Sequence, residues 1–333
     1  MVEEAEDEDD EDTAKRDYLG EMELVATIMI QNGDNSQPLS RAQRLALRFA
    51  LVESAETEFE RAGPKSVVTP GDVAKTLTEI ATREQFKHHA DQILEMSYAM
   101  ELFTDGLNGH LFNRREGKLW PDVDIQIVDL GQAAGEANKS TLTVAYVSLI
   151  QDINARIERD QMDDRYTLVL TDEAHLIYTD ELIPAFVMKA IKQWRKLGCF
   201  MSLATQNVED FPGSSKRLLS MMEFWMCLAM DKDEVEKISR FRDLNSDERN
   251  MMINCTKSPG KYVEGVILSD KYKLQFRNVP PSLFLALAQT EKHEKAKRGD
   301  IIRERGLTGD DAELQAALLV GEDIRQSRLG MLG

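Results

Sequence analysis

Leu168-Val169-Leu170-Thr171-Asp172-Glu173 is an apolar run that ends in two adjacent acids. It predicts a strand over residues 166–172, with helical sequence on either side at about 140–159 and 180–197. Residues 124–130 (DIQIVDL) and 199–205 read as the strands before and after it. Residues 223–230, with Phe224, Trp225, Met226, Cys227 and Leu228 in one run, read as a fourth. Near-continuous apolar strands separated by helices mark a parallel sheet covered on both faces. Residues 262–268 and 272–276 flank Ser269-Asp270-Lys271 and predict an antiparallel hairpin closing that sheet. The expected fold class is α/β with a mostly parallel sheet.

Upstream, the period changes to that of helices. Leu24, Val25, Ile28 and Met29 sit at helical spacing, and Ser40 with Gln43 has the form of a capping box. Leu45, Phe49, Val52 and Phe59 place one apolar stripe on a long helix. Thr69-Pro70-Gly71-Asp72 is a start signal, with a hydroxyl cap, proline at the first helical position and an acid in the first turn. Val73, Leu77 and Ile80 continue that helix, and a third is predicted from about residue 83 to 103, carrying Phe86, Ala90, Ile93 and Leu94. Helical sequence returns from Ser282 and again over 310–328. The expected organisation is an acidic leader (1–20), a helical region (21–120), an α/β core (121–280) and a C-terminal helical tail (281–333).

Composition bounds the class. The 333 residues are 42% apolar and 30% charged, the balance of a globular chain. Net charge is −18, and nine carboxylates lie between Glu3 and Asp12, a stretch expected to be disordered. No basic stripe dominates, which argues against a domain that coats nucleic acid. The longest apolar-looking run, 218–230, is 13 residues broken by Ser220 and Glu223, short of the roughly 18–20 that cross a bilayer. The N-terminus is acidic where a signal peptide is basic and then apolar. Cys199, Cys227 and Cys255 form no C-x-x-C pair and read as reduced thiols of a cytoplasmic protein. His88-His89 and His175 lack acids or histidines at ligand spacing and read as solvated or helix-start residues.

Ligands of doubly wound sheets bind at the carboxyl ends of the strands, where Asp172-Glu173 stands. An apolar strand delivering two acids is the pattern of a Walker B motif: the first acid holds Mg²⁺, usually through water, and the second polarises the attacking water. The alternative is a pair of acids capping the next helix. The neighbouring strand ends in Ala204-Thr205-Gln206, and a glutamine there would sense a γ-phosphate or position the water.

The order IVDLG (127–131), LVLTDEAHLI (168–177) and WRKLGCFMSLATQNVEDF (194–211) resembles the conjugative-transfer ATPases of type IV secretion systems, the TraC/TrbE type, which group with the HerA and FtsK motors among RecA-like ATPases. GHLFN (109–113) looks like the end of that family's helical insertion, and residues 231–245 look like its stretch after the fourth strand, so the likeness covers roughly 21–290. The resemblance implies a RecA-like P-loop core and a hexameric motor that hydrolyses ATP with Mg²⁺ to drive substrate export or pilus assembly. It implies work at the cytoplasmic face of the inner membrane, with type IV secretion inner-membrane components as partners and DNA, protein or pilin as cargo. Asp172 would serve Mg²⁺, Glu173 would be the catalytic glutamate and Gln206 the sensor. Arg195, with Arg240 and Arg242 behind it, would reach a neighbouring subunit's phosphate.

One departure is serious: G-x-x-x-x-G-K-[ST] occurs nowhere, so the phosphate cradle and its lysine are missing. Gly131 to Gly135, followed by Lys139-Ser140, has the wrong spacing and follows the wrong strand. The expectation is a C-terminal piece of a longer ATPase that alone binds ATP poorly, hydrolyses almost none, and self-associates through an exposed sheet edge. Two alternatives stand beside it. One is a non-catalytic scaffold or split-partner subunit of the same machinery. The other is a fragment of a DEAH-type helicase, whose box Asp172-Glu173-Ala174-His175 spells but whose second-domain arginine motif has no match.

Overall fold

The computed structural model describes residues 17–32, 38–115, 121, 123–131, 133, 139–178, 182–206 and 208–330. The acidic leader as far as residue 16 lies outside them. The chain divides into two compact units, Met1–Ser214 and Ser215–Gly333.

The first unit opens with helices α1 (Tyr18–Gln31), α2 (Arg41–Ala62), α3 (Pro70–Ala81), α4 (Ala90–Glu101) and α5 (Gly106–Phe112). Their starts follow the sequence signals. Ser40 and Gln43 close a capping box, the Ser40 N–H donating to Gln43 Oε1 at 2.9 Å. At α3 the Thr69 N–H and hydroxyl both donate to Asp72 Oδ2 at 2.8 Å. The helix predicted from residue 83 begins as a 3₁₀ stretch, Glu84–His89, and becomes α-helical at Ala90. Leu47, Leu77, Ile80, Ile93, Met96 and Met100 form the interior. Helices α3 and α4 meet through small polar groups: buried Ser97 donates to the Ala74 carbonyl at 2.8 Å and lies 2.9 Å from Thr78 Oγ1.

On α2 the buried face differs from the apolar stripe. Ala46, Leu47, Ala50, Ser54 and Glu58 are inside, while Leu45, Phe49, Val52 and Phe59 are 38–57% exposed. Small residues let this helix approach its neighbours closely, and the bulky stripe is left on the outer side. Glu58 is tolerated inside because Arg61 and Arg115 both pair with it.

After this helical layer come α6 (Lys139–Arg159), β1 (Thr167–Thr171), α7 (Ala174–Ile177), α8 (Leu182–Trp194) and β2 (Cys199–Leu203). Strands β1 and β2 pair in parallel, Thr167 with Cys199 through Thr171 with Leu203. Helices α6 and α8 are joined by buried Trp194, whose indole N–H donates to Asn154 Oδ1. The architecture is therefore mixed α/β with a small parallel sheet.

Two expected strands do not join that sheet. Residues 124–130 form no strand: Ile125 is 81% and Ile127 90% exposed. Among the described residues β1 pairs only with β2, and this segment takes no place in the ladder. It is tethered instead by Asp124 to Arg165 at 2.5 Å and by Arg156 donating to the Pro121 carbonyl at 2.8 Å.

The run at 223–230 does form a strand, but in the second unit and antiparallel. That unit holds α9 (Lys216–Leu219), β3 (Trp225–Leu228), α10 (Lys232–Ile238), α11 (Ser246–Ile253), β4 (Lys257–Ser258), β5 (Tyr262–Leu268) and β6 (Lys273–Asn278). The predicted hairpin is β5–β6, and it closes this second sheet; β3 and β4 also pair with β5. The connection from β3 runs through α10, α11 and β4 before β5 returns beside it in the opposite sense, so the pair is antiparallel although it is not a tight hairpin. Three helices follow, α12 (Ser282–Ala288), α13 (Lys292–Arg305) and α14 (Ala312–Gly330), packed about Ala286, Ala317 and Val320. Gly321 suits the close α12–α14 contact, because a Cβ there would stand 3.1 Å from Leu283 Cα, tighter than side chains ordinarily pack.

Candidate active site

The carboxyl end of β1 is held more firmly than its short ladder requires. Beyond the last pair, the Ala204 N–H donates to the Thr171 carbonyl at 2.8 Å, and the Ala174 N–H to the Ala204 carbonyl at 2.9 Å. Between these bonds Glu173 adopts φ 47°, the left-handed region that a glutamate enters only at a cost. The Asp172 carboxylate accepts the Glu173 N–H at 2.9 Å and stabilises the turn. Here α7 starts directly behind Glu173, so Asp172 and Glu173 are turned out at the edge of the sheet.

The structure brings Glu173 and Gln206 together. Gln206 Nε2 donates to Glu173 Oε1 at 2.7 Å. Glu173 Oε2 lies 3.4 Å from His175 Nδ1, which is also 3.0 Å from Thr205 Oγ1. Two residues from the β1 turn and two from the end of β2 thus share one polar cluster. Asp172 is exposed beside it, and the Glu173 side chain is about a third exposed.

A buried hydroxyl network lies under the cluster. Tyr146 on α6 places its hydroxyl 3.0 Å from Thr171 Oγ1 and 3.4 Å from the Tyr178 hydroxyl, which reaches Met201 on β2 at 3.9 Å. Burial pushes both phenols above their ordinary range, Tyr178 well above it, so both remain neutral hydroxyls. The network ties α6, β1, α7 and β2 at the level of the turn.

His175 is the residue that sequence reasoning set aside. Its place beside Glu173 has one signal in the chain, its position two residues after Glu173 on the turn into a helix. No group of three or more His, Cys, Asp or Glu that could hold a metal exists among the described residues. A cation held entirely by protein is therefore not what these residues build. Two adjacent carboxylates fit Mg²⁺, which takes one or two carboxylates and fills its shell with waters and phosphate oxygens.

Arg195 does not join the cluster: it is exposed in the 3₁₀ turn Arg195–Leu197, before β2, and so stands at the amino end of the strand that carries Gln206 at its other end. Arg240 and Arg242 belong to the second unit. Arg240 lies over the Phe241 ring at 5.3 Å. Arg242 is largely buried, 3.8 Å from Asp270, and its Nε has no hydrogen-bond partner among the described residues. In the loop that superficially resembles a cradle, Ser140 donates to Asn32 Oδ1 at 2.6 Å; residues 134–138 lie outside the described ones.

Fold and site together define a class: an α/β protein with a helical layer before a parallel strand pair, and paired acids at the strand end. No family model matches the sequence, and no curated protein does. Among solved structures, VirB4 of Thermoanaerobacter pseudethanolicus superposes with a TM-score of 0.63 at 18% identity, over 80% of this chain and 71% of that one. The fold is that of VirB4, and at this identity the fold is what the two chains share. No helix among the described residues is long and apolar enough to cross a membrane.

Proposed function

We propose that this protein is an ATP-hydrolysing motor component of a type IV secretion or conjugative-transfer machine. The observation that carries the reading is the Glu173–Gln206 contact at the carboxyl end of a parallel strand pair, within a fold shared with VirB4. The motif order that resembles the TraC/TrbE ATPases supports the same reading, and with it a RecA-like core. Phosphoryl transfer asks the protein mainly for positioning and charge stabilisation. Asp172 would hold Mg²⁺ through water, and the ion would neutralise phosphate charge. Glu173 would orient and polarise the attacking water. Gln206 would fix the Glu173 carboxylate and move with the state of the γ-phosphate, and Arg195 would act toward a neighbouring subunit of a hexameric ring.

The glycine-rich cradle is then supplied from outside these 333 residues. Leu168 and Leu170 of β1 and Phe200 of β2 are 56–66% exposed, on strands that parallel sheets ordinarily cover on both faces. That bare face also supports a split-partner arrangement, in which a second polypeptide completes the site. The chain would work at the cytoplasmic side of the inner membrane, with secretion components as partners and DNA, protein or pilin as cargo.

Mn²⁺ in place of Mg²⁺ gives a direct test by electron paramagnetic resonance in the presence of ATP. With a cradle-bearing polypeptide present, Mn²⁺–ATP binds, and Asp172→Asn weakens it at least about tenfold. Equal binding by wild type and Asp172→Asn would remove Asp172 from the role.

A further inference from the structure

Helix α2 carries a stripe that the fold leaves largely exposed, with Phe49 resting edge-on against buried Phe86 at 6.1 Å between ring centroids and the rest of its surface open. Leu45, Phe49, Val52 and Phe59 succeed one another at steps of four, three and seven on one side of a 22-residue helix, and all four are exposed. Between Val52 and Phe59 the same side holds exposed Glu56. This is the seam spacing of helices that pack lengthwise on other helices. The charges beside it are segregated along the helix. Arg41, Arg44 and Arg48 are the only ionisable groups in the first half, whereas Glu53, Glu56, Glu58 and Glu60 dominate the second.

Glu53 and Glu58 are engaged within the chain, by Arg83 and by Arg61 with Arg115. Glu56 and Glu60 are exposed and make no ion pair among the described residues, and Arg44 is held only by a bond from its Nε to the Leu39 carbonyl at 3.2 Å. Arg48 pairs with Glu23 at 2.9 Å while staying half exposed.

We propose that α2 is a self-recognition helix, pairing antiparallel with α2 of a second copy of this chain across the stripe formed by Leu45, Phe49, Val52 and Phe59. An antiparallel pair sets the basic half of each helix against the acidic half of the other and opposes the two helix dipoles. A parallel pair would set arginines against arginines and glutamates against glutamates. Val52 lies near the middle of the helix, so a twofold axis close to it brings Leu45 of one copy level with Phe59 of the other. The two Leu45 residues are then about 21 Å apart, at 1.5 Å per residue. This contact is independent of the ATPase reading and uses no residue of β1 or β2.

The test combines sedimentation with disulfide trapping. Wild type is expected to show a concentration-dependent monomer–dimer equilibrium. Arg44→Glu with Arg48→Glu makes the stripe acidic at both ends, and Glu56→Lys with Glu60→Lys makes it basic at both ends. Each double variant alone dimerises at least about tenfold more weakly, because like charges now face one another, and their equimolar mixture recovers the dimer. All four positions are exposed, and because Arg48→Glu also gives up the pair with Glu23, circular dichroism and dilute-protein thermal unfolding of each variant are compared with wild type before its association is read. In otherwise wild-type protein, Val52→Cys links to itself under mild oxidation, whereas Leu45→Cys links only when mixed with Phe59→Cys. Three outcomes overturn the proposal: wild type monomeric at every concentration, self-association unchanged in both charge variants, or Leu45→Cys linking to itself. The second would move the contact to another surface such as the sheet edge.

Discussion

Gln206 donates to Glu173 across 2.7 Å, so the residue that follows β2 holds the carboxylate that β1 delivers. The bond joins neighbouring strands at the edge where their ends meet, and its geometry depends on the left-handed turn at Glu173. In an assembly that supplies the phosphate cradle, Gln206→Ala is expected to lower kcat about 100-fold with little change in KM. Steady-state kinetics of the two proteins side by side checks this; a change confined to KM would make Gln206 a binding residue instead.

The same turn stores strain. Glu173→Gly removes the side chain from a conformation only glycine adopts freely, and is expected to raise stability by about 1 kcal/mol while abolishing turnover. Urea unfolding measures the first effect and phosphate release the second. A destabilised Glu173→Gly protein would show that the Gln206 and His175 contacts outweigh the backbone cost.

Helix α2 offers a paired comparison of its two faces. Leu47 is fully buried, and Leu47→Ala is expected to cost about 2–5 kcal/mol. Leu45, two residues away, is 48% exposed, and Leu45→Ala is expected to fall within about 0.5 kcal/mol of wild type. Thermal unfolding of dilute protein separates the two, and comparable losses would mean that the stripe faces the core.

Thiol chemistry follows from burial. Cys199 is pushed up to about 12 and Cys227 to about 11, chiefly by desolvation of the thiolate. All three cysteines are free and buried. Labelling by a disulfide reagent at pH 8 is therefore expected to be slow in the native protein and complete at three thiols after unfolding. Immediate native labelling at Cys199 or Cys227 would contradict the packing of β2 and β3.

Acid acts on the second unit through Glu264. Hydrogen bonds from the Thr256 hydroxyl and from Arg277, then from the Thr256 N–H, lower its carboxyl from 4.5 to about 2. A depressed carboxylate stabilises the fold above its unfolded value and loses that contribution as pH falls toward the folded value. Glu264→Gln is accordingly expected to be less stable than wild type at pH 7. The gap should close between about 4.5 and about 2, read as denaturation midpoints across pH.

Much of this was legible in the residues. The capping boxes at Ser40 and Thr69 set helix starts through bonds three residues long, and such signals survive any tertiary context. The strand ending in Asp172-Glu173 and its neighbour before Gln206 were visible as apolar runs, and they pair as parallel neighbours. What could not be read was partnership. An apolar run does not say which sheet it joins, so residues 225–228 went to an antiparallel partner and 124–130 to none. Nor does an apolar stripe say which side of a helix is covered. On α2 the small residues Ala46, Ala50 and Ser54 decide it, because they permit closer approach than Leu45 or Phe59. His175 was missed because metal-ligand spacing was the wrong question: its contacts are to Glu173 and Thr205 across the turn.

The most direct test of the central claim is Mg²⁺-dependent ATP turnover by the chain joined to a cradle-bearing polypeptide, with Glu173→Gln measured in parallel. The account predicts turnover in the wild-type assembly that falls at least about 100-fold in Glu173→Gln while nucleotide binding is kept. Turnover that survives Glu173→Gln, or a wild-type assembly that binds Mg²⁺–ATP and never hydrolyses it, would contradict the assignment of the β1 carboxylates to catalysis.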